Sequence, residues 1–170
     1  AAVVVASGLT WRWLEITGGP TALTDRFGPW APLVSVPTHT LLSSTPFPRE
    51  LLGVANGSVY GLWLGTLYGW AAWWSGGMIE FALARRSAHN PTKTPTESRL
   101  PSWLRLFPAG HPAVMILGRQ LPFGFHAVNV MAAISGVTIK RQMLLSAISN
   151  FIFAFIAAAT GAGLVATGLI

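Results

Sequence analysis

The sequence predicts an all-α integral membrane protein, with transmembrane helices and two opposed re-entrant helical hairpins arranged as in inverted-repeat transporters. Three observations predict it. The chain has too few charges to face water, one uncharged run has the wrong length for whole spans, and basic clusters flank a second apolar block.

Of 170 residues, 52% are hydrophobic and 9% charged, and the mean hydropathy is +0.53. Soluble domains carry roughly 25% charged residues because water must wet their surface, so lipid must cover much of this one. The length suits one domain, and residues 1–170 are expected to form a single membrane domain. With no cysteine, a disulfide scaffold and a thiolate metal site are excluded. A net charge of +6 would suggest nucleic acid in a soluble chain. Here the basic residues gather between apolar blocks, the positive-inside pattern, and no nucleic-acid partner is expected.

Ala1 is not a start residue, so further chain is expected ahead of it. Ala1 to Ile16 is apolar but interrupted by Arg12 and Glu15. It is short for a span and reads as the end of one or as an interfacial helix. Phe27 to Leu42 is apolar with Pro29, Pro32 and Pro37, and the polar knot from Ser43 to Glu50 follows.

From Leu51 the apolar character runs to Ala84, roughly 34 residues where about 20 cross the hydrocarbon. That is too long for one span and too short for two with a turn. The economical division is half a re-entrant hairpin over about residues 46–61, then a full span over about 62–84. Gly53, Gly57, Gly61, Gly65 and Gly69 recur every four residues, which puts them near one helix face where backbones pack closely.

Arg85 to Arg105 is hydrophilic, with five arginine and lysine residues against Glu97. The positive-inside rule makes the loop, about 85–110, cytoplasmic. His111 to Ile139 is apolar except for Arg119, and Lys140-Arg141 follow. A single crossing would put that basic pair opposite the loop, whereas a segment that turns back keeps both on one side. Pro122, Gly124 and Gly136 supply the breaks, which are tolerated at depth where protein or a wet cavity satisfies the backbone. By the same count the first hairpin enters from outside, and opposed hairpins meeting near the midplane are the pattern of an inverted-repeat core.

Ionisable groups in apolar segments need a reason. Arg119, three residues before Pro122, reads as a cation for a lipid phosphate or a mid-membrane carboxylate, against the alternative of snorkelling to the interface. Ser44-Thr45-Pro46 ahead of Arg49 and Glu50 reads as a helix start with a hydroxyl cap, whose free N–H groups suit an anionic headgroup. A buried Glu50 would take up a proton and couple transport to a proton gradient; otherwise it complements its own helix dipole with Arg49 pairing locally. Glu80, near Arg85 and Arg86, reads as a structural ion pair. His126 and Asn129 could bond headgroup oxygens or satisfy broken backbone, while His39 and His111 read as interfacial. The eight tryptophans suit aromatic belts. The scattered histidines and few acids offer no metal set and no cofactor is expected. With no histidine placed to activate Ser58, an enzyme is not expected.

These motifs resemble the DedA/VTT family, also called the SNARE-associated Golgi proteins. The likeness runs through Gly28-Pro29-Trp30-Ala31-Pro32-Leu33-Val34, Pro48-Arg49-Glu50-Leu51-Leu52, Gly57, Tyr60-Gly61, Gly65-Thr66-Leu67 and Phe81-Ala82-Leu83-Ala84-Arg85. It resumes at Gly118-Arg119, Pro122, Ala132-Ala133-Ile134-Ser135-Gly136 and Lys140-Arg141. Together these cover most of residues 28–165. The resemblance implies two opposed re-entrant hairpins, shaped by Pro46, Pro48, Gly57, Gly61, Pro122 and Gly136. It also implies a multi-pass protein of the cell membrane, in bacteria the plasma membrane, that moves lipids between leaflets. Eukaryotic members resemble scramblases, and bacterial members are linked to recycling undecaprenyl phosphate and to membrane homeostasis. Glu50 matches the family's acid in the first hairpin and Arg119 its first arginine in the second. The chain departs at Phe125, where many bacterial members have a second arginine, and at Leu41, near where many have an acid. Arg49 or His126 is the expected substitute.

The expected substrate-binding set is therefore Arg119, Glu50, Arg49, His126 and Asn129, with membrane lipids of anionic headgroup as partners. Self-association into a homo-oligomer is left open. The rivals are a proton- or ion-coupled small-solute transporter of the same architecture and a non-transporting scaffold that binds through the 85–105 loop.

Overall fold

A computed structural model describes residues 27–44, 48–88, 108, 110–121 and 124–168. Among them every regular element is helical. A short 3-10 turn, Gly28–Trp30, leads into α1 (Ala31–Ser43). Then come α2 (Arg49–Ala88), α3 (Pro112–Leu117), a 3-10 turn (Gly118–Gln120), α4 (Gly124–Ile134) and α5 (Ile139–Ala166). Pro46 and Pro122, and the loop over residues 89–107, lie outside the described residues.

The surface is inverted relative to a soluble protein. Large apolar side chains such as Trp30, Leu33, Leu41, Trp63, Leu64, Leu144 and Ile156 are exposed, while Arg49, Arg119, Asn129, Gln142, Ser146, Ser149 and Asn150 are buried. Extended apolar exposure of this kind marks a surface meant for a partner or a membrane. One helix, α5, is by itself long and apolar enough to cross a bilayer, and α4 is a shorter apolar helix. The segment expected to span, 62–84, is continuous helix. It falls short of that apolarity because its tryptophans, glycines and hydroxyl residues dilute the hydrophobic count.

The described residues fall into two compact units. One holds α1, α2 as far as Gly76 and α5 from Asn150; the other holds α2 from Gly77, α3, α4 and α5 as far as Ser149.

In the first unit α2 breaks at Gly61, with φ 73° and ψ −178°, a conformation essentially reserved for glycine. The chain reverses there. A Cβ added at Gly65 would lie 2.6 Å from the Asn56 carbonyl oxygen, and one at Gly53 would lie 3.0 Å from the Trp73 ring. Residues 49–60 and the start of 62–88 are thus antiparallel arms of one helical hairpin, with the turn at the boundary the sequence predicts. Gly57 of the series serves packing against α5. A Cβ at Gly57 would meet the Ala158 carbonyl at 2.1 Å, and one at Gly161 of α5 would meet the Val54 carbonyl at 2.0 Å. Only hydrogen at these positions lets the backbones approach so closely.

The expected hydroxyl cap for α2 is not formed by Ser44, whose hydroxyl donates back to the Thr40 carbonyl (3.1 Å) and closes α1. Pro48 precedes α2, its carbonyl accepting from Leu51 N–H, and Thr45 lies outside the described residues.

In the second unit α3 ends in the 3-10 turn, and α4 returns beside it. The Cβ of an alanine at Gly124 would clash with the Gly118 carbonyl, and one at Gly118 would meet Val128 at 3.2 Å. Met115 of α3, Val128, Ala132 and Ala133 of α4, and Phe81 of α2 share one apolar cluster. Gly136, with φ 71°, ends α4 in a Schellman motif: Val137 N–H bonds the Ala132 carbonyl at 3.0 Å. Thr138 then caps α5 through its hydroxyl to Arg141 N–H.

Candidate functional site

Each unit carries its own polar cluster. In the first, Arg49 and Glu50 are adjacent on α2 and so point about 100° apart. Their fates differ accordingly. The Arg49 side chain is 6% exposed and that of Glu50 67%, with Arg49 Nε on Glu50 Oε1 at 3.2 Å. The burial expected of Glu50 belongs to Arg49. Its guanidinium lies 4.9 Å from the Trp73 ring centroid and donates to Asn150 Oδ1 at 3.5 Å.

Trp73 in turn donates its indole N–H to His39 Nε2 at 2.8 Å, and His39 Nδ1 is 3.0 Å from the side-chain amide of Asn56. An indole N–H can only donate, so His39 Nε2 must accept and the ring must be uncharged, with its proton on Nδ1. Asn56 Nδ2 stands against that proton, so the amide must exchange ends to present its oxygen to Nδ1. His39 is therefore a buried junction between α1 and both arms of the α2 hairpin.

The second unit holds a longer network. Arg119 sits in the 3-10 turn between α3 and α4 with 1% of its surface exposed, so it does not snorkel: the protein encloses it. Its Nη2 donates to Gln142 Oε1 at 3.1 Å. Gln142 Nε2 donates to Asn129 Oδ1 at 2.9 Å, and Asn129 Nδ2 donates to Glu80 Oε2 at 2.9 Å. His126 Nδ1 bonds the other carboxylate oxygen, Oε1. Gln120 and Ser149 bind alongside at 3.1 Å, and Ser149 reaches the Ile116 carbonyl at 2.9 Å, which ties the turn to α5.

Of the expected site residues, Arg119, His126 and Asn129 thus belong to one network, and Arg49 and Glu50 to the other cluster. Glu80 is corrected from an ion pair with the arginines of its own helix end: its carboxylate holds His126 and Asn129, while Arg85 donates to the Val137 carbonyl at 3.1 Å and stacks over Phe81. Gln142 and Asn150 were not among the expected residues. A signal for them exists, because Gln142, Ser146, Ser149 and Asn150 recur at helical spacing in a stretch without charge. Phe125, at the place of the family's second arginine, is buried with its ring edge-on to His126.

A family model for the VTT domain matches residues 47–163. The chain belongs to the VTT-domain family. This is the domain of the DedA/SNARE-associated Golgi proteins, a family of membrane proteins, and the matched stretch contains the second polar cluster and all of the first except His39. No match was found among curated proteins or among solved structures. No group of three or more potential metal ligands occurs among the described residues.

Proposed function

We propose that this VTT domain is a multi-pass protein of the cell membrane that moves an anionic or phosphate-bearing lipid between leaflets. Phospholipids and undecaprenyl phosphate are the substrates of the right chemistry, and membrane homeostasis is the role served. One observation carries the proposal. An enclosed arginine and a mostly buried acid, Arg119 and Glu80, are joined through two neutral amides within helices whose outer faces are apolar. Charges in such surroundings are expensive and are retained for a substrate or proton pathway. A guanidinium presents paired donors that match a phosphate, and Gln142 holds that donor edge until a headgroup replaces it. Helical hairpins broken at Gly61 and between α3 and α4 supply the irregular backbone of re-entrant segments.

A second reading, a proton-coupled transporter of a small solute, is favoured by the Glu80–His126 bond, a pair able to hold a proton. Proteoliposomes separate the two. Lipid translocation predicts leaflet exchange of fluorescent phospholipid or polyprenyl phosphate without a solute gradient. The solute transporter predicts gradient-driven uptake without lipid movement.

A further inference from the structure

Asn150, fully buried on α5, is satisfied at one end only. Its Oδ1 accepts from Arg49 Nη1 at 3.5 Å, while its Nδ2 is buried with no acceptor among the described residues. Turning the amide over does not help, because the NH2 group would then face the guanidinium, donor against donor. Arg49 therefore fixes which end of Asn150 is left over, and that end is a donor. A buried donor without a partner is costly and calls for an explanation.

The donor stands beside a second one. Arg49 opens α2, so its guanidinium sits at the positive end of that helix dipole. One face of the group is covered by the Trp73 ring, and its Nε donates to Glu50 Oε1 at 3.2 Å. The Arg49 side chain is enclosed, whereas that of Glu50 is 67% exposed. A carboxylate so exposed can swing into water at little cost, since ion pairs at a wet surface hold weakly.

We infer that Arg49 and Asn150 form a phosphate-binding subsite in the first unit, with the Glu50 carboxylate as a tethered anion that a ligand phosphate displaces. The oxygens of one phosphate can accept from a guanidinium edge and from a neighbouring amide N–H together. That would satisfy the Asn150 Nδ2 and leave its Oδ1 on Arg49. A carboxylate on the adjacent residue of the same helix already holds Nε, so an anion is accepted on this edge of the guanidinium. No covalent bond changes. The subsite is separate from the Arg119 network, and it stands whether or not the protein translocates lipid.

The test is equilibrium dialysis of the full chain in nonionic detergent against labelled inorganic phosphate and, separately, short-chain phosphatidic acid. Equal affinities mean that the phosphate alone is read; binding of the lipid alone makes a headgroup the ligand. Asn150→Asp keeps an oxygen on Arg49 but replaces the NH2 donor by a negative charge. It should weaken binding at least tenfold, the scale of one hydrogen bond to a charged group, with the melting temperature held or raised. A residue needed only for packing would not separate the two readouts in this way. Glu50→Gln removes the competing anion and should tighten binding several-fold. Because Glu50 is exposed, this variant decides the matter even if Asn150→Asp fails to fold. Both changes should persist in an Arg119→Ala background. Unchanged affinity in folded Asn150→Asp, weaker binding in Glu50→Gln, or no binding of either probe to the wild type overturns the subsite. Leaflet exchange is measured on the same proteins. Absence of exchange from wild type whose phosphate binding responds to both variants removes the lipid reading and leaves the subsite; exchange with unresponsive binding does the reverse.

Discussion

The Arg119 guanidinium donates through Nη2 to Gln142 Oε1 at 3.1 Å, across 23 residues of sequence. A charge enclosed by protein loses its hydration, and hydrogen bonds must replace part of it. Gln142→Leu keeps the volume of this site and deletes the bond. Thermal unfolding in detergent should show a loss of roughly 1.5–3 kcal/mol, the scale for a hydrogen bond to a charged group. An unchanged melting temperature would mean that Gln142 contributes nothing to holding the guanidinium.

The glycine contacts in the first unit give a prediction with an internal control. Gly57→Ala and Gly161→Ala each drive a methyl group against a carbonyl oxygen, Ala158 and Val54 respectively. Each should destabilise by about 1–3 kcal/mol or more, as overpacking of tight interfaces does. Gly163, also in α5, has open space where a Cβ would go, so Gly163→Ala should leave the melting temperature unchanged or raise it. Equal effects at all three positions would contradict the close approach of α2 and α5.

Trp73 serves two neighbours in different ways. Its ring face receives Arg49 and its N–H supplies His39. Trp73→Phe keeps a ring and removes the donor, leaving an acceptor buried without its bond, a cost of roughly 1–3 kcal/mol. The double variant with His39→Leu should recover part of that loss, because the acceptor goes too. Additive losses in a double-mutant cycle would show that the two residues are not coupled.

How much of this was legible in the sequence differs between the hairpins and the clusters. The break near residue 61 was readable because an uncharged stretch of awkward length had to divide, whereas its glycines read as a packing face and Gly61 turned out to be the break itself. The sequence offered Pro122, Gly124 and Gly136 as breaks in the second block; Gly124 begins α4 and Gly136 follows its end, while Pro122 lies outside the described residues. The partners of Glu80 were not readable. Proximity along the chain favoured Arg85 and Arg86, and the choice of His126 and Asn129 depends on how α4 returns against α2. Gln142 was hidden by its place beside Lys140-Arg141, where it reads as the polar margin of α5. The burial of Arg49 over Glu50 is set by which face of α2 meets Trp73 and Asn150, and adjacency alone does not decide it.

His126 stands one residue beyond Phe125, the position where many bacterial relatives have an arginine, and it bonds the acid at the end of the Arg119 line. If it takes over that arginine's task, His126→Ala should slow leaflet exchange about as severely as Arg119→Ala. Both variants should remain folded by size-exclusion profile. A silent His126→Ala would reduce His126 to a packing neighbour of Phe125.

Arg119 is the residue proposed to handle the phosphate of a translocating lipid. Leaflet exchange of fluorescent phospholipid and of a polyprenyl phosphate in proteoliposomes, wild type beside Arg119→Ala and Glu50→Gln, tests it most directly. Exchange well above that of empty liposomes is expected for the wild type, and its loss in Arg119→Ala. Glu50→Gln, which alters an exposed carboxylate, should cost less. Exchange no faster than in empty liposomes from folded wild-type protein, or full exchange in Arg119→Ala, would contradict it.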